Sequence, residues 1–148
     1  MFASPELDAP TGPIHAFGDM WFTSIGNHRI GRVRDGVVQT FSNPAIALPA
    51  NIFPACDGRV WFTVLGSDAL GAVHPEAPDP SSTIAMYPPP EGGRPAALKS
   101  DPAGRLWFSL RSRNDAGALD PRAPLESMQL FDSPAIAGPA ALFVTPLD

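Results

Sequence analysis

The stretch Asp57-Gly58-Arg59-Val60-Trp61-Phe62-Thr63-Val64-Leu65-Gly66-Ser67-Asp68-Ala69-Leu70-Gly71 decides the fold. Its centre, Val60 to Leu65, is apolar or β-branched throughout, the composition of a strand buried on both faces. Asp57-Gly58 ahead of it reads as a two-residue hairpin turn, in which both residues take φ > 0. Gly66-Ser67-Asp68 behind it reads as a second turn. Working outward, strands are expected over 50–55, 59–65, 70–74 and 83–87, giving one small antiparallel sheet.

The pattern recurs. Trp21-Phe22-Thr23, Trp61-Phe62-Thr63 and Trp107-Phe108-Ser109 are three copies of one motif, spaced 40 and 46 residues apart. A glycine lies ten residues after each Trp, at Gly31, Gly71 and Gly117. An aromatic residue closes each copy, at Phe41, Tyr87 and Phe131, and eight residues later stands a proline, at Pro49, Pro95 and Pro139. The next Trp follows the first two of these prolines by twelve residues, whereas Pro10 precedes Trp21 by only eleven. From Trp to the closing proline of each copy, length variation is confined to the stretch between glycine and closing aromatic, rich in Pro and Asp, which marks a surface loop. The first copy shows the same plan, with Asp35-Gly36 as a hairpin between strands over 29–34 and 37–41.

Four antiparallel strands in a repeat of this length make a β-propeller blade. The reading is therefore an all-β chain, a single β-propeller segment over 1–148. Blade repeats fall at about 10–48, 49–94 and 95–138, and 139–148 begins a fourth. No window carries apolar residues at helical spacing, so essentially no α-helix is expected. Propellers close with four to eight blades. Two arrangements stay open: a segment of a longer propeller, or a ring completed by identical chains, with a strand at 140–145 pairing into the partner's blade.

Composition narrows the function classes. Apolar residues are 44% and charged residues 17%, a globular balance rather than a disordered one. Nineteen prolines and 13 glycines suit short strands and turns. The net charge is −5 with no basic run, which argues against nucleic acid or an anionic membrane as partner. One cysteine, Cys56, excludes an internal disulfide and a multi-cysteine zinc site. No stretch approaches about 18 uninterrupted apolar residues, and the start at residues 1–6 does not read as a signal peptide, so a cytoplasmic location is expected.

Trp21-Phe22-Thr23-Ser24-Ile25-Gly26-Asn27-His28-Arg29-Ile30-Gly31-Arg32-Val33, together with Pro-x-x-Ile ahead of Asp-Gly-x-x-Trp-Phe, resembles the blade consensus of the virginiamycin B lyase (streptogramin lyase) family. The resemblance covers essentially the whole chain. It implies a seven-bladed propeller that linearises a cyclic depsipeptide antibiotic by elimination, with help from Mg²⁺. The family's catalytic histidines directly follow the inner-strand proline. Here those positions are Thr11, Ala50, Ala96 and Ala140. Glutamate, frequent three residues after the Trp, is replaced by Ser24, Val64 and Leu110. No catalytic residue carries over, and no metal ligand is assigned; Mg²⁺ rests on the resemblance alone.

Elimination needs a general base and a group that stabilises the leaving atom. The titratable side chains available are few. His28 falls in the loop after a second strand, where propellers gather ligands, although a solvated turn explains it too. Asn51 lies in an inner strand beside the channel and could orient a ligand or hydrogen-bond its neighbours. Arg111 and Arg113 occupy the matching loop of the third repeat, suited to an anionic or carbonyl-rich ligand or to simple solvation. These four form the candidate ligand-binding set. His15 is displaced from the family position, His74 reads as surface, and Cys56 as structural. Two functions follow from the reading. One is a lyase-like propeller binding a small cyclic ester or peptide. The other is a non-catalytic scaffold for a ligand or protein, completed by self-association.

Overall fold

The computed structural model describes residues 4–132 and 134–139 and contains three four-stranded antiparallel sheets. The first is β1 (Pro10–Ala16), β2 (Asp19–Ser24), β3 (Arg29–Arg34) and β4 (Val37–Phe41), in sequence order across the sheet. The second is β5 (Pro49–Pro54), β6 (Val60–Val64), β7 (Ala69–Val73) and β8 (Ala85–Tyr87). The third is β9 (Pro95–Ser100), β10 (Leu106–Leu110), β11 (Asp115–Leu119) and β12 (Gln129–Asp132). The inner strands β1, β5 and β9 lie side by side in turn. The chain is all-β with three propeller blades. The strand expected over 140–145 lies outside the described residues.

Each element of the repeat has a packing reason. Trp and Phe, adjacent on a strand, point to opposite faces of the blade. On one face Trp stacks on the closing aromatic: Trp21 on Phe41 at 5.7 Å, Trp61 on Tyr87 at 4.9 Å, Trp107 on Phe131 at 5.5 Å between centroids. On the other face Phe lies over the glycine paired with it across the strands, Phe22 over Gly31, Phe62 over Gly71 and Phe108 over Gly117. A Cβ on those glycines would stand 2.4, 2.3 and 2.2 Å from the ring. The ten-residue spacing from Trp to Gly is thus the register that gives the neighbouring Phe a place to lie.

Blades then stack Trp face to Phe face. Trp21, Ile30 and Phe41 of the first blade pack with Ile52, Val60 and Phe62 of the second. Trp61, Leu70 and Ala72 of the second pack with Leu98, Leu106 and Phe108 of the third. Arginines tie the same joints. Arg32, over the Trp21 and Phe41 rings, donates to the Pro75 carbonyl of the next blade at 2.5 Å. Arg59, over Trp61 and Tyr87, donates to the Pro121 carbonyl at 3.2 Å. Burial alone would lower the Arg59 guanidinium, but hydrogen bonds with Tyr87 and Asp57 reverse this and leave it raised. Two faces have no blade against them among the described residues. Phe22 on the first looks into an open cleft with Leu7, Pro10, Pro13, Val33 and Val38, and Phe131 on the third is 41% exposed.

Gly71→Ala is expected to destabilise the fold by about 1–3 kcal/mol, because Phe62 is fully buried and has nowhere to move. Gly31→Ala should cost less, since Phe22 borders the open cleft. Urea unfolding followed by tryptophan fluorescence ranks the two, and equal losses would contradict the packing account.

Three details differ from the sequence reading. Asp35 and Gly36 both take positive φ, as a two-residue hairpin requires, but at 57–58 only Gly58 does. There the turn is one residue longer: the Gly58 N–H donates to the Ala55 carbonyl and the Ala55 N–H to the Arg59 carbonyl. Asp57 is instead held by accepting from the Arg59 N–H at 3.1 Å and the Trp61 indole N–H at 3.2 Å. One helical turn, Pro124–Ser127, forms inside the third blade's Pro-rich loop, with proline at its start where no N–H is needed. A 3₁₀ turn at Pro80–Thr83 takes up Thr83, where the fourth strand was expected to begin, and β8 starts at Ala85.

Candidate functional site

The candidate site is the end of the blades that carries the β2–β3, β6–β7 and β10–β11 turns and the starts of the inner strands. Pro10 pairs with Ser24, Pro49 with Val64 and Pro95 with Leu110, so each inner strand begins at this end. Each inner-strand pairing also shifts register just past its proline, forming a bulge. Bulges bend a strand and leave backbone groups unpaired. The third residue of the Trp-Phe-Thr/Ser motif satisfies them. Thr63 Oγ1 accepts from the Asn51 N–H at 3.0 Å and donates to the Ala96 carbonyl of the next blade at 2.7 Å. Ser109 Oγ accepts from the Ala97 N–H at 3.0 Å, and Thr23 donates to the Thr11 carbonyl at 3.2 Å.

The four sequence candidates all fall at this end, and the structure divides them. Asn51 is half-buried, and its carboxamide has no hydrogen-bond partner among the described residues. Arg111 is exposed; its N–H donates to the Arg94 carbonyl at 3.2 Å, while its guanidinium is unpaired among the described residues. Arg113 is committed within the protein, to Glu91 at 2.6 Å and to the buried carboxylate of Asp115 at 2.9 Å. Asp115 first and then Glu91 raise its guanidinium above the ordinary value. His28 is engaged as well, its Nδ1 accepting the Leu48 N–H at 3.0 Å. No hydrogen bond or ion pair joins one of the four to another. His15 and His74 are exposed at surface positions. Cys56 is also exposed, its Sγ 3.4 Å from the Gly104 carbonyl.

Sequence reasoning missed the residues that hold this end together. Asp68 and Asn114 occupy the place of His28 in their own blades; Asp68 accepts the N–H of Arg94, which leads into β9, and Asn114 accepts the N–H of Gly138. The signal was present, since the seventh residue after each Trp is a side-chain acceptor. The positions after the inner-strand prolines, Thr11, Ala50 and Ala96, supply no base. Among the described residues no group of three His, Cys, Asp or Glu side chains is placed to hold a metal ion. The residues present therefore do not fit the Mg²⁺ that the resemblance implies. No helix among the described residues is long and apolar enough to cross a membrane.

Blades of this build, joined through their inner strands, define a segment of a β-propeller. The Virginiamycin B lyase family profile matches residues 12–144, and the chain belongs to that family. Virginiamycin B lyase from Staphylococcus aureus superposes with a TM-score of 0.80 at 26% identity, over 95% of this chain and 46% of that one. A catalytically inactive variant of the same enzyme, solved with quinupristin, gives the same figures. A streptogramin B lyase matches at 26% identity and a TM-score of 0.81, again over 95% of this chain and 46% of the other. The chain thus spans less than half the length of these enzymes. A search of curated proteins returns no match.

Proposed function

We propose that this chain binds a small cyclic ester or peptide, of the streptogramin kind, at the loop end of its blades, and that these residues alone do not open the ring. One observation carries the reading. Asn51 and Arg111 present uncommitted polar groups at that end, whereas His28 and Arg113 are held by the protein itself. An amide and a guanidinium suit the ester and amide carbonyls of such a ligand. The family membership and the quinupristin complex of the S. aureus enzyme support the ligand class. The absence of a base after each inner-strand proline supports binding without elimination.

Titration calorimetry with quinupristin, with and without Mg²⁺, tests this alongside mass spectrometry of the ligand. Binding is expected with the ring intact, and Arg111→Ala and Asn51→Ala should each weaken it about five- to tenfold. Ring-opened product, no binding, or two variants with unchanged affinity would overturn the proposal.

A second reading, a scaffold completed by another copy, draws on the uncovered Trp107–Phe131 face and the Phe22 cleft, which are the two halves of one blade joint. A solution mass of twice 15.6 kDa would favour this reading.

A further inference from the structure

We propose that the joint between the first two blades is a proton-sensitive latch, closed while His28 Nδ1 is unprotonated and released when it takes up a proton. The hydrogen bond that closes it is one of three built alike. Seven residues after each Trp the chain takes a left-handed turn, at His28 with φ 60°, Asp68 with φ 49° and Asn114 with φ 61°. Each of these side chains accepts the N–H of a residue just before a proline, Pro49 of β5, Pro95 of β9 and Pro139: Leu48 to His28 Nδ1 at 3.0 Å, Arg94 to Asp68 Oδ1 at 2.8 Å, Gly138 to Asn114 Oδ1 at 2.6 Å. The donors are left-handed too, with φ of 55°, 56° and 52°. Three pairs of left-handed residues at matching positions mark one repeated device rather than three accidents of loop geometry.

Chemistry separates the first latch from the other two. A carboxylate and a carboxamide remain acceptors across the neutral range. An imidazole accepts on Nδ1 only in its neutral Nε2–H form, and histidine changes charge between about pH 5 and 8. Once protonated, both ring nitrogens are donors, and the Leu48 N–H faces a donor instead of an acceptor. The charged groups around His28 are few. The N-terminal segment brings Glu6, whose carbonyl accepts from Asn27, and Asp8, which lies against Gly26. On β3 the adjacent Arg29 is turned to Thr40 at 3.0 Å. The connection from β4 to Leu48 carries no charge, and in the next blade's loop Asp68 is taken by Arg94. His28 is exposed, so protons reach it directly. Release at Leu48 would loosen the entry of β5, the strand that carries Asn51.

Amide hydrogen exchange resolved at Leu48 and Arg94 tests the latch, the second site serving as an internal standard. On going from about pH 7.5 to 5, protection at Leu48 relative to Arg94, after correction for intrinsic exchange, should fall about five- to tenfold. His28→Asn, which copies the Asn114 latch, should keep Leu48 protected at both pH values, and His28→Ala should leave it weakly protected at both. Imidazole nitrogen shifts at the higher pH should report a bare Nδ1. Parallel loss at Leu48 and Arg94, a pH response retained in His28→Asn, or an Nδ1–H tautomer at neutral pH would each overturn the proposal.

Discussion

Trp61→Ala is expected to lower stability by about 5 kcal/mol, the upper end for an aromatic deleted from a core. Trp61 is 0% exposed and lies between two blades, so no solvent-facing group can move in to fill the space. Tyr87 loses its stacking partner and the Arg59 guanidinium loses the ring 4.8 Å beneath it. Leu98, Leu106 and Phe108 of the third blade lose the surface they close on. A loss of this size approaches the whole stability of a small domain, so the variant should be largely unfolded or aggregated at ambient temperature. Trp107→Ala deletes the same side chain at the same place in the repeat, but there the face is open and the indole only half-buried; the expected loss is about 2 kcal/mol. Denaturant midpoints compare the two, and equal losses would mean that position within the repeat, rather than burial between blades, sets the energy.

The indole N–H groups refine the comparison. Trp61 donates to Asp57, and Trp107 to Asp101 at 2.9 Å, whereas Trp21 Nε1 is buried without a partner among the described residues. The cause is the shorter approach to Trp21: the turn there is Phe17-Gly18, both with positive φ, and holds no aspartate. Trp21→Phe should therefore cost about 1 kcal/mol less than Trp61→Phe.

That one-residue difference between Pro10–Trp21 and the later spacings shows what the sequence makes visible and what it hides. The offsets from Trp to glycine, closing aromatic and proline were readable because each reports a contact within one sheet: a ring over a glycine, a ring on a ring, a strand start. Contacts between sheets left weaker traces. The His28, Asp68 and Asn114 latches use three different side chains for one backbone geometry, so no identity repeats. The Asp57-Gly58 turn departs from its expected form because a two-residue hairpin and a longer turn closed by glycine share the same dipeptide, and only the Asp57 contacts with Arg59 and Trp61 decide between them. At the candidate site, loop position placed His28, Asn51, Arg111 and Arg113 at one end. Which of them are free depended on partners such as Glu91 and Leu48, more than nineteen residues away in sequence.

Asp19→Asn is expected to lose about 3 kcal/mol, because it removes the anion from a buried cluster and leaves the cations behind. Asp19 is 4% exposed and faces Arg34 at 2.6 Å and the buried Arg32 at 3.8 Å. Arg32 is itself lowered, by burial first and then by the like charge of Arg34, so it depends on the carboxylate more than a surface arginine would. Arg34 keeps Glu76, at 2.6 Å, but that carboxylate is exposed and Glu76→Gln should change stability by less than about 0.5 kcal/mol. The pH dependence carries a sign. Hydrogen bonding from Arg34 holds the Asp19 carboxyl below its ordinary value of 3.8 against the opposing effect of burial. A depressed folded-state value means the contribution is complete above that ordinary value and disappears as pH falls through the folded one. The stability difference between the parent and Asp19→Asn should thus be constant from neutral pH down to about 4 and shrink in stronger acid. Urea midpoints of both proteins across that range measure it. A difference that grows on acidification would show that Asp19 is held by something other than its charge, and a difference near zero at neutral pH would show that Arg32 and Arg34 reach solvent without it.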